Sequence, residues 1–254
     1  MAQLNDMAGK VILVTGGGSG IGLGTAICFA QEGARVAIAV RKPADEALSK
    51  IRAAGGEAIQ VLADVSKQAD VERMIQEVVK HWGRLDALVN NAGIEGHHAK
   101  LADQEVNVLA QVLEVNVQGV FLTMQAAIKQ FLAQNDGGAI VNIASGFSFV
   151  GFPESSPYAA SKGAVMALTR SAALEYARQG IRINAVCPMD INTPMTAKSL
   201  SELPGGAEAY AASRVTGRMG EPQEVGAAVV FLCSSKASFI IGSALMVDGG
   251  YIAQ

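Results

Sequence analysis

Tyr158 and Lys162 stand four residues apart in an apolar stretch, and Ser145 lies thirteen residues before the tyrosine. Residues at this spacing share one face of a helix, so the ammonium can reach the space beside the phenol. A free phenol, with a pKa of about 10, is a poor base at neutral pH. A neighbouring cation is expected to favour the phenolate and lower that value. A serine hydroxyl both donates and accepts, so Ser145 can hold a substrate oxygen that Tyr158 protonates. A Tyr/Lys pair of this kind is also ordinary on helix surfaces, so its meaning rests on the elements that position it.

Those elements read as an α/β chain. Seven short apolar runs are expected as strands: 11–15, 36–40, 58–62, 87–90, 139–143, 181–186 and 244–247. Most are continuously apolar rather than alternating, the pattern of a parallel sheet covered on both faces. Helical patterns fall between them at 20–32, 43–54, 66–82, about 103–134, 157–179 and 222–234. Ser66, Pro157 and Pro222 mark starts, and Gly33 and Gly180 suit C-terminal caps. The alternation predicts a doubly wound parallel sheet of about seven strands with helices on both faces, a Rossmann fold in one domain over 1–254. The least regular stretch, about 189–217, follows a strand end where such sheets bind ligands, and is expected to be a substrate lid.

Half of the 254 residues are apolar and 17% are charged, with a net charge of −3. No basic block points to nucleic acid, and no apolar run is expected to reach the roughly 18–20 residues of a membrane span. The N-terminal residues show no signal-peptide core, so a cytoplasmic location is expected. Cys28, Cys187 and Cys233 are widely spaced and read as small buried hydrophobes, not disulfides or ligands. No metal-ligand spacing is evident.

The first expected strand runs into Gly16-x-x-x-Gly20-x-Gly22, a spacing that permits a tight turn and close backbone approach. The helix that follows offers free N–H groups to a pyrophosphate. At the end of the second strand, where NAD sites place a carboxylate for the ribose 2′-OH, the chain has Val40-Arg41-Lys42. A planar guanidinium and a second cation suit a 2′-phosphate, so NADP(H) is favoured over NAD(H). Asp45 or Glu46 could instead fold back to the ribose.

Taken in order along the chain, these motifs resemble the short-chain dehydrogenase/reductase family over nearly the whole length. TGGGSGIG (15–22) matches its cofactor loop, which implies cofactor contacts from Gly16, Gly18, Ser19, Gly20, Ile21 and Gly22. Asp64 and Val65 match the pair beside the adenine, and Asn90-Asn91-Ala92-Gly93 matches the NNAG segment lining the cofactor. Pro188 and Thr193 match the segment that touches the nicotinamide, which implies cofactor contacts from Pro188, Met189, Ile191 and Thr193. Asn116, Ser145 and YAASK (158–162) match the catalytic set, with Lys162 also holding the nicotinamide ribose. GRMGEPQEVGAAVVFL (217–232) and VDGG (247–250) resemble the family's tail. Asp248 is expected to be structural. The resemblance implies hydride transfer between a nicotinamide cofactor and a ketone or secondary alcohol, in a homotetramer to which the apolar tail contributes.

Two departures bear on specificity. The family commonly has glycine where Met189 stands, which brings bulk to the nicotinamide end. In carrier-dependent 3-oxoacyl reductases of the family, basic residues dock the acyl carrier; those positions look like Asp136 and Gln179 here, which weakens that alternative. A cofactor-binding protein without catalysis is a second alternative, weakened by the intact Asn116, Ser145, Tyr158 and Lys162, and an epimerase or dehydratase using the same Tyr/Lys chemistry is a third. The expected pocket walls are 94–100, 146–157 and 189–217. Ile94, Ser145, Phe147, Phe152, Met189 and Met195 are the expected lining, for a neutral, largely apolar small molecule. His97 and His98 could reach a substrate, but a solvated loop pair is the expected reading.

Overall fold

The computed structural model describes residues 6–201 and 206–254. Seven strands form one parallel sheet: β1 (Val11–Thr15), β2 (Arg35–Val40), β3 (Ala58–Leu62), β4 (Ala87–Asn90), β5 (Gly138–Ile143), β6 (Ile181–Pro188) and β7 (Ala244–Val247). Their spatial order is β3-β2-β1-β4-β5-β6-β7. β2 and β4 flank β1 on opposite sides. The strand order reverses there, which opens a crevice beyond the carboxyl ends of β1 and β4.

The apolar runs are continuous because both faces are covered. One face carries Phe29, Ile51 and Val229, from α1 (Gly20–Gln31), α2 (Asp45–Ala53) and α9 (Pro222–Cys233). The other carries Met74, Phe131 and Val165. These come from α3 (Gln68–Trp82), α5 (Gly119–Gln134) and α6 (Ser156–Tyr176). α1 and α9 approach closely through glycine: a Cβ on Gly24 would lie 2.5 Å from Pro222, and one on Gly226 2.8 Å from Cys28 Sγ. Beneath the crevice a chain of buried hydrogen bonds ties α5 and α6 to the sheet. Thr123 donates to Asn90, Asn90 to Asn142, and Asn142 to Thr169, at 2.6–2.9 Å. Each buried polar group thereby keeps a partner.

Four expectations change. The expected helix at 103–134 is α4 (Val106–Leu113), a π-helical turn at 114–118 and α5. α3 starts at Gln68 rather than Ser66, because the Ser66 N–H and hydroxyl both donate to Asp64 Oδ1 and hold a turn. The stretch 189–217 contains two short helices, α7 (Pro194–Leu200) and α8 (Gly206–Ala212). Thr193 caps α7 by accepting from the Thr196 N–H. Finally, the helical run Val106–Gln134 has 29 residues, and an 18-residue window of it has a mean hydropathy of 1.3, so by length and composition alone it could cross a membrane, where no run was expected to reach that length. Its apolar side is spent on the sheet, where Val120, Met124, Ala127, Ile128 and Phe131 are buried.

All three cysteines are free thiols. Burial pushes Cys187 up to about 11 and Cys233 up to about 12, so neither is a ready nucleophile.

Candidate active site

The glycine turn forms because β1 ends against β4. Gly16 and Gly20 adopt left-handed backbone, with φ of 66° and 51°. A Cβ on Gly22 would meet the Gly16 carbonyl at 2.3 Å and Asn91 Nδ2 at 2.4 Å. Asn91 Nδ2 donates to the Thr15 and Gly16 carbonyls, at 3.0 and 3.1 Å. Thr15 Oγ1 accepts from the Asn91 and Ala92 N–H groups. The turn and the segment after β4 are thus stapled together, and the N-terminus of α1 faces open space.

That space is a cleft of about 420 Å³. Gly16, Gly18, Ser19, Gly20 and Ile21 form part of its wall, whereas Gly22, expected to touch the cofactor, does not line it and packs against Gly16 and Asn91. Arg41, Lys42, Asp64 and Val65 border it, as do Asn91, Ala92, Gly93 and Ile94, with Tyr158, Lys162 and Thr193. The residues fit a dinucleotide: glycine backbone at a helix N-terminus for the phosphates, and cations at the β2 end. Asp45 and Glu46 do not border the cleft. Asp45 accepts from Gln60 and Glu46 pairs with Lys50. Among the described residues, Arg41 and Lys42 make no ion pair.

A second cavity of about 400 Å³ shares Ile21, Ile143, Tyr158, Thr193 and Met195 with the cleft. Ser145, Phe147, Phe152 and Met189 line it, and Pro188 and Ile191 lie on this side rather than on the dinucleotide cleft. Ile94 lies on the cleft rather than here. Phe147 and Phe152 stack at 4.7 Å, and Phe147 meets Tyr158 edge-on at 5.9 Å. Met189 is buried against Gly146, where a Cβ would lie 2.3 Å from its Cγ. Gly146→Ala is therefore expected to cost about 1–3 kcal/mol by overpacking. Trimming Met189 to alanine in the same chain should restore much of that loss in chemical denaturation. Additive losses in the double variant would contradict this contact.

Tyr158 lies in the first turn of α6 and Ser145 just past β5. Burial raises the phenol pKa well above its usual value, the Glu95 charge adds to the rise, and the Ser145 hydroxyl opposes it. Lys162 is buried, donates from Nζ to the Ile143 carbonyl at 2.7 Å, and sits 5.4 Å from the Tyr158 ring centre. Burial lowers its pKa to about 8, against a small opposing effect of Cys187. The expected lowering of the tyrosine by the lysine is thus reversed: desolvation dominates, and the opposing influence is the Ser145 hydroxyl rather than the cation.

The π turn delivers Asn116 inward. Its Oδ1 accepts from the Ile94 N–H, and its Nδ2 donates to the Ile94 carbonyl and to Ser161 Oγ, at 2.8–3.0 Å. Ser161 Oγ donates in turn to the Tyr158 carbonyl at 2.7 Å. Its side chain therefore fixes the segment after β4 against the start of α6. Asp248 accepts from the Gly250 and Ile252 N–H groups, a structural role.

Two cavity residues, Glu95 and Tyr210, carry chemistry that the sequence did not single out. Glu95 Oε2 accepts from Ser199 at 2.8 Å, and its Oε1 lies 3.3 Å from His98 Nε2. His98, expected in solvent, is part of the wall, with Nδ1 3.1 Å from Ser155 Oγ. Tyr210 from α8 also borders the cavity and donates to Asp190 at 2.7 Å. Among the described residues, no group of His, Cys, Asp or Glu could hold a metal ion.

The family model described as enoyl-(acyl carrier protein) reductase matches residues 16–252. A 2,5-dichloro-2,5-cyclohexadiene-1,4-diol dehydrogenase of Sphingobium indicum is 38% identical, over 98% of this chain and all of the relative. A cis-4-hydroxycyclohexanecarboxylate dehydrogenase of Sinomonas cyclohexanicum is 42% identical, over 97% of this chain and 98% of the relative. The crystal structure of an Agrobacterium tumefaciens protein with NADP bound superposes with a TM-score of 0.90 at 34% identity, covering 99% of this chain and all of that one. The chain belongs to the short-chain dehydrogenase/reductase family and is an oxidoreductase of alcohols and ketones.

Proposed function

We propose that the chain interconverts a small, largely apolar ketone and its secondary alcohol with NADP(H), through Ser145, Tyr158 and Lys162. The observation that carries this reading is the meeting of the two cavities at Tyr158. A bound nicotinamide supplies or takes the hydride. Ser145 and Tyr158 hold the carbonyl oxygen. In reduction the phenol, protonated at neutral pH, gives its proton to that oxygen as the alcohol forms. Lys162 supplies positive charge beside the phenol that this leaves short of a proton. Asn116 acts as a positioning residue through Ile94 and Ser161. The ring substrates in the names of the two relatives support an alicyclic compound.

Arg41 and Lys42, free of acidic partners among the described residues, support the preference for the 2′-phosphate. Reduction of cyclohexanone and related ketones, followed with NADPH and NADH in parallel, tests the reading. The double variant Arg41→Ala/Lys42→Ala should lower the NADPH/NADH ratio of kcat/KM by at least about tenfold, given that a hydrogen bond to a charged group is worth roughly 1.5–3 kcal/mol. An unchanged ratio would remove the two cations from cofactor selection.

The apolar side chains left at the surface, among them Phe121, Leu174 and the 99% exposed Phe239, support assembly as a homotetramer. For the carrier-dependent alternative, Asp136 is committed to Arg84 at 2.6 Å, so the nearby guanidinium is already neutralised.

A further inference from the structure

The substrate cavity is not uniformly apolar. Beside Phe147, Phe152, Met189 and Leu200 it presents Glu95, whose side chain is only 22% exposed. A carboxylate has about four acceptor positions. Within the described residues only one hydrogen bond, from Ser199, is made to this one. Among the described residues, His98 Nε2 is buried and has no hydrogen-bond partner, although it lies 3.3 Å from Glu95 Oε1. Glu95 and His98 therefore leave unspent hydrogen-bonding capacity in the cavity that also contains Ser145 and Tyr158.

The electrostatics make this carboxylate a poor neighbour for chemistry alone. Its charge raises the Tyr158 phenol further, which disfavours the phenolate from which alcohol oxidation starts. A negative charge here also repels a substrate carboxylate or phosphate, since burial weakens solvent screening. It attracts a hydroxyl, whose O–H can donate to it in a charge-assisted bond.

We propose that Glu95, backed by His98 and Ser199, binds a hydroxyl group of the substrate, so that the enzyme works on hydroxylated alicyclic ketones and the corresponding diols and discriminates against carboxylates. This rests on the oxidoreductase reading of the same site. The apolar wall holds the ring, Ser145 and Tyr158 hold the reacting oxygen, and Glu95 takes the second oxygen as a donor. A site built to bond one hydroxyl discriminates strongly, because its buried acceptor is left unpaired by an analogue without that group.

The test uses three ketones with the better cofactor: cyclohexanone, 4-hydroxycyclohexanone and 4-oxocyclohexanecarboxylate. For the wild-type enzyme, kcat/KM for the hydroxyketone is expected to exceed that for the carboxylate by more than tenfold. In Glu95→Gln, the hydroxyketone/cyclohexanone ratio should fall about tenfold and the carboxylate/cyclohexanone ratio should rise about tenfold, in line with loss of a charged hydrogen bond. Wild-type preference for the carboxylate, or ratios unmoved by Glu95→Gln, would overturn the proposal while turnover of cyclohexanone still upheld the oxidoreductase reading. No turnover of any ketone by the wild type would bring down both. Should the variant fail to fold, the wild-type ratio alone decides.

Discussion

Tyr158→Phe is expected to lower kcat for ketone reduction by about 10²–10⁴-fold, the usual contribution of a positioned general acid. The substitution removes one oxygen and leaves the ring. The edge-on contact with Phe147 and the placement of Lys162 over the ring both survive it. Fold and cofactor affinity should therefore hold, as read by thermal melting and by fluorescence titration with NADPH. Turnover within tenfold of wild type in a folded variant would mean that another group delivers the proton. The wild-type pH profile supplies a second reading. Because burial and Glu95 raise the phenol pKa, the acid form dominates across neutral pH. Reduction should be nearly flat there. Oxidation of the alcohol needs the phenolate, whose fraction grows tenfold per pH unit below the pKa, so it should climb through the alkaline range.

Lys162→Met is expected to abolish most activity and to stabilise the protein. Buried Lys162 has its pKa lowered from 10.5 to about 8. At about 1.4 kcal/mol per unit, holding it charged at pH 7 costs roughly 3 kcal/mol. Methionine fills similar space without that cost, but it leaves the Ile143 carbonyl without its donor, a loss of about 1 kcal/mol. The net gain of about 2 kcal/mol corresponds to about 4–8 °C in Tm for a chain of this size. Turnover should fall at least about 10²-fold with loss of the cation beside the phenol. The sign with pH is fixed. The folded state binds this proton less tightly than the unfolded one, so the penalty is full below about pH 8. It fades as pH rises toward 10.5. The Tm advantage of the variant should shrink over that interval. A lower Tm at pH 7 would show that the lysine is held more favourably than its burial implies.

The strands were legible because a sheet covered on both faces leaves uninterrupted apolar runs, and those runs agree with the strands to within a residue or two at the ends. The glycine turn and the Tyr158/Lys162 spacing were legible because backbone sterics and one helical turn fix them locally. Other features depend on distant partners. Glu95 gains its place from Ser199, 104 residues away, and His98 sits on Ser155, 57 residues away. No local pattern reports either contact. The direction of the Tyr158 shift depends on how completely the fold strips water from it, which spacing does not encode. The π turn around Asn116 extends an unbroken helical pattern, so its extra residue leaves no mark in the periodicity. α7 is too short, at seven residues, to declare a period of its own.

Met189 lying over Gly146 also constrains the order in which these two positions can change in descent. A side chain gained at 146 while methionine remains would strike it, whereas a smaller residue at 189 first leaves the fold passable. The path from this chain toward a relative with glycine after the proline is therefore one-way in its first step. Libraries that vary the two sites singly will miss the combinations that reshape the pocket.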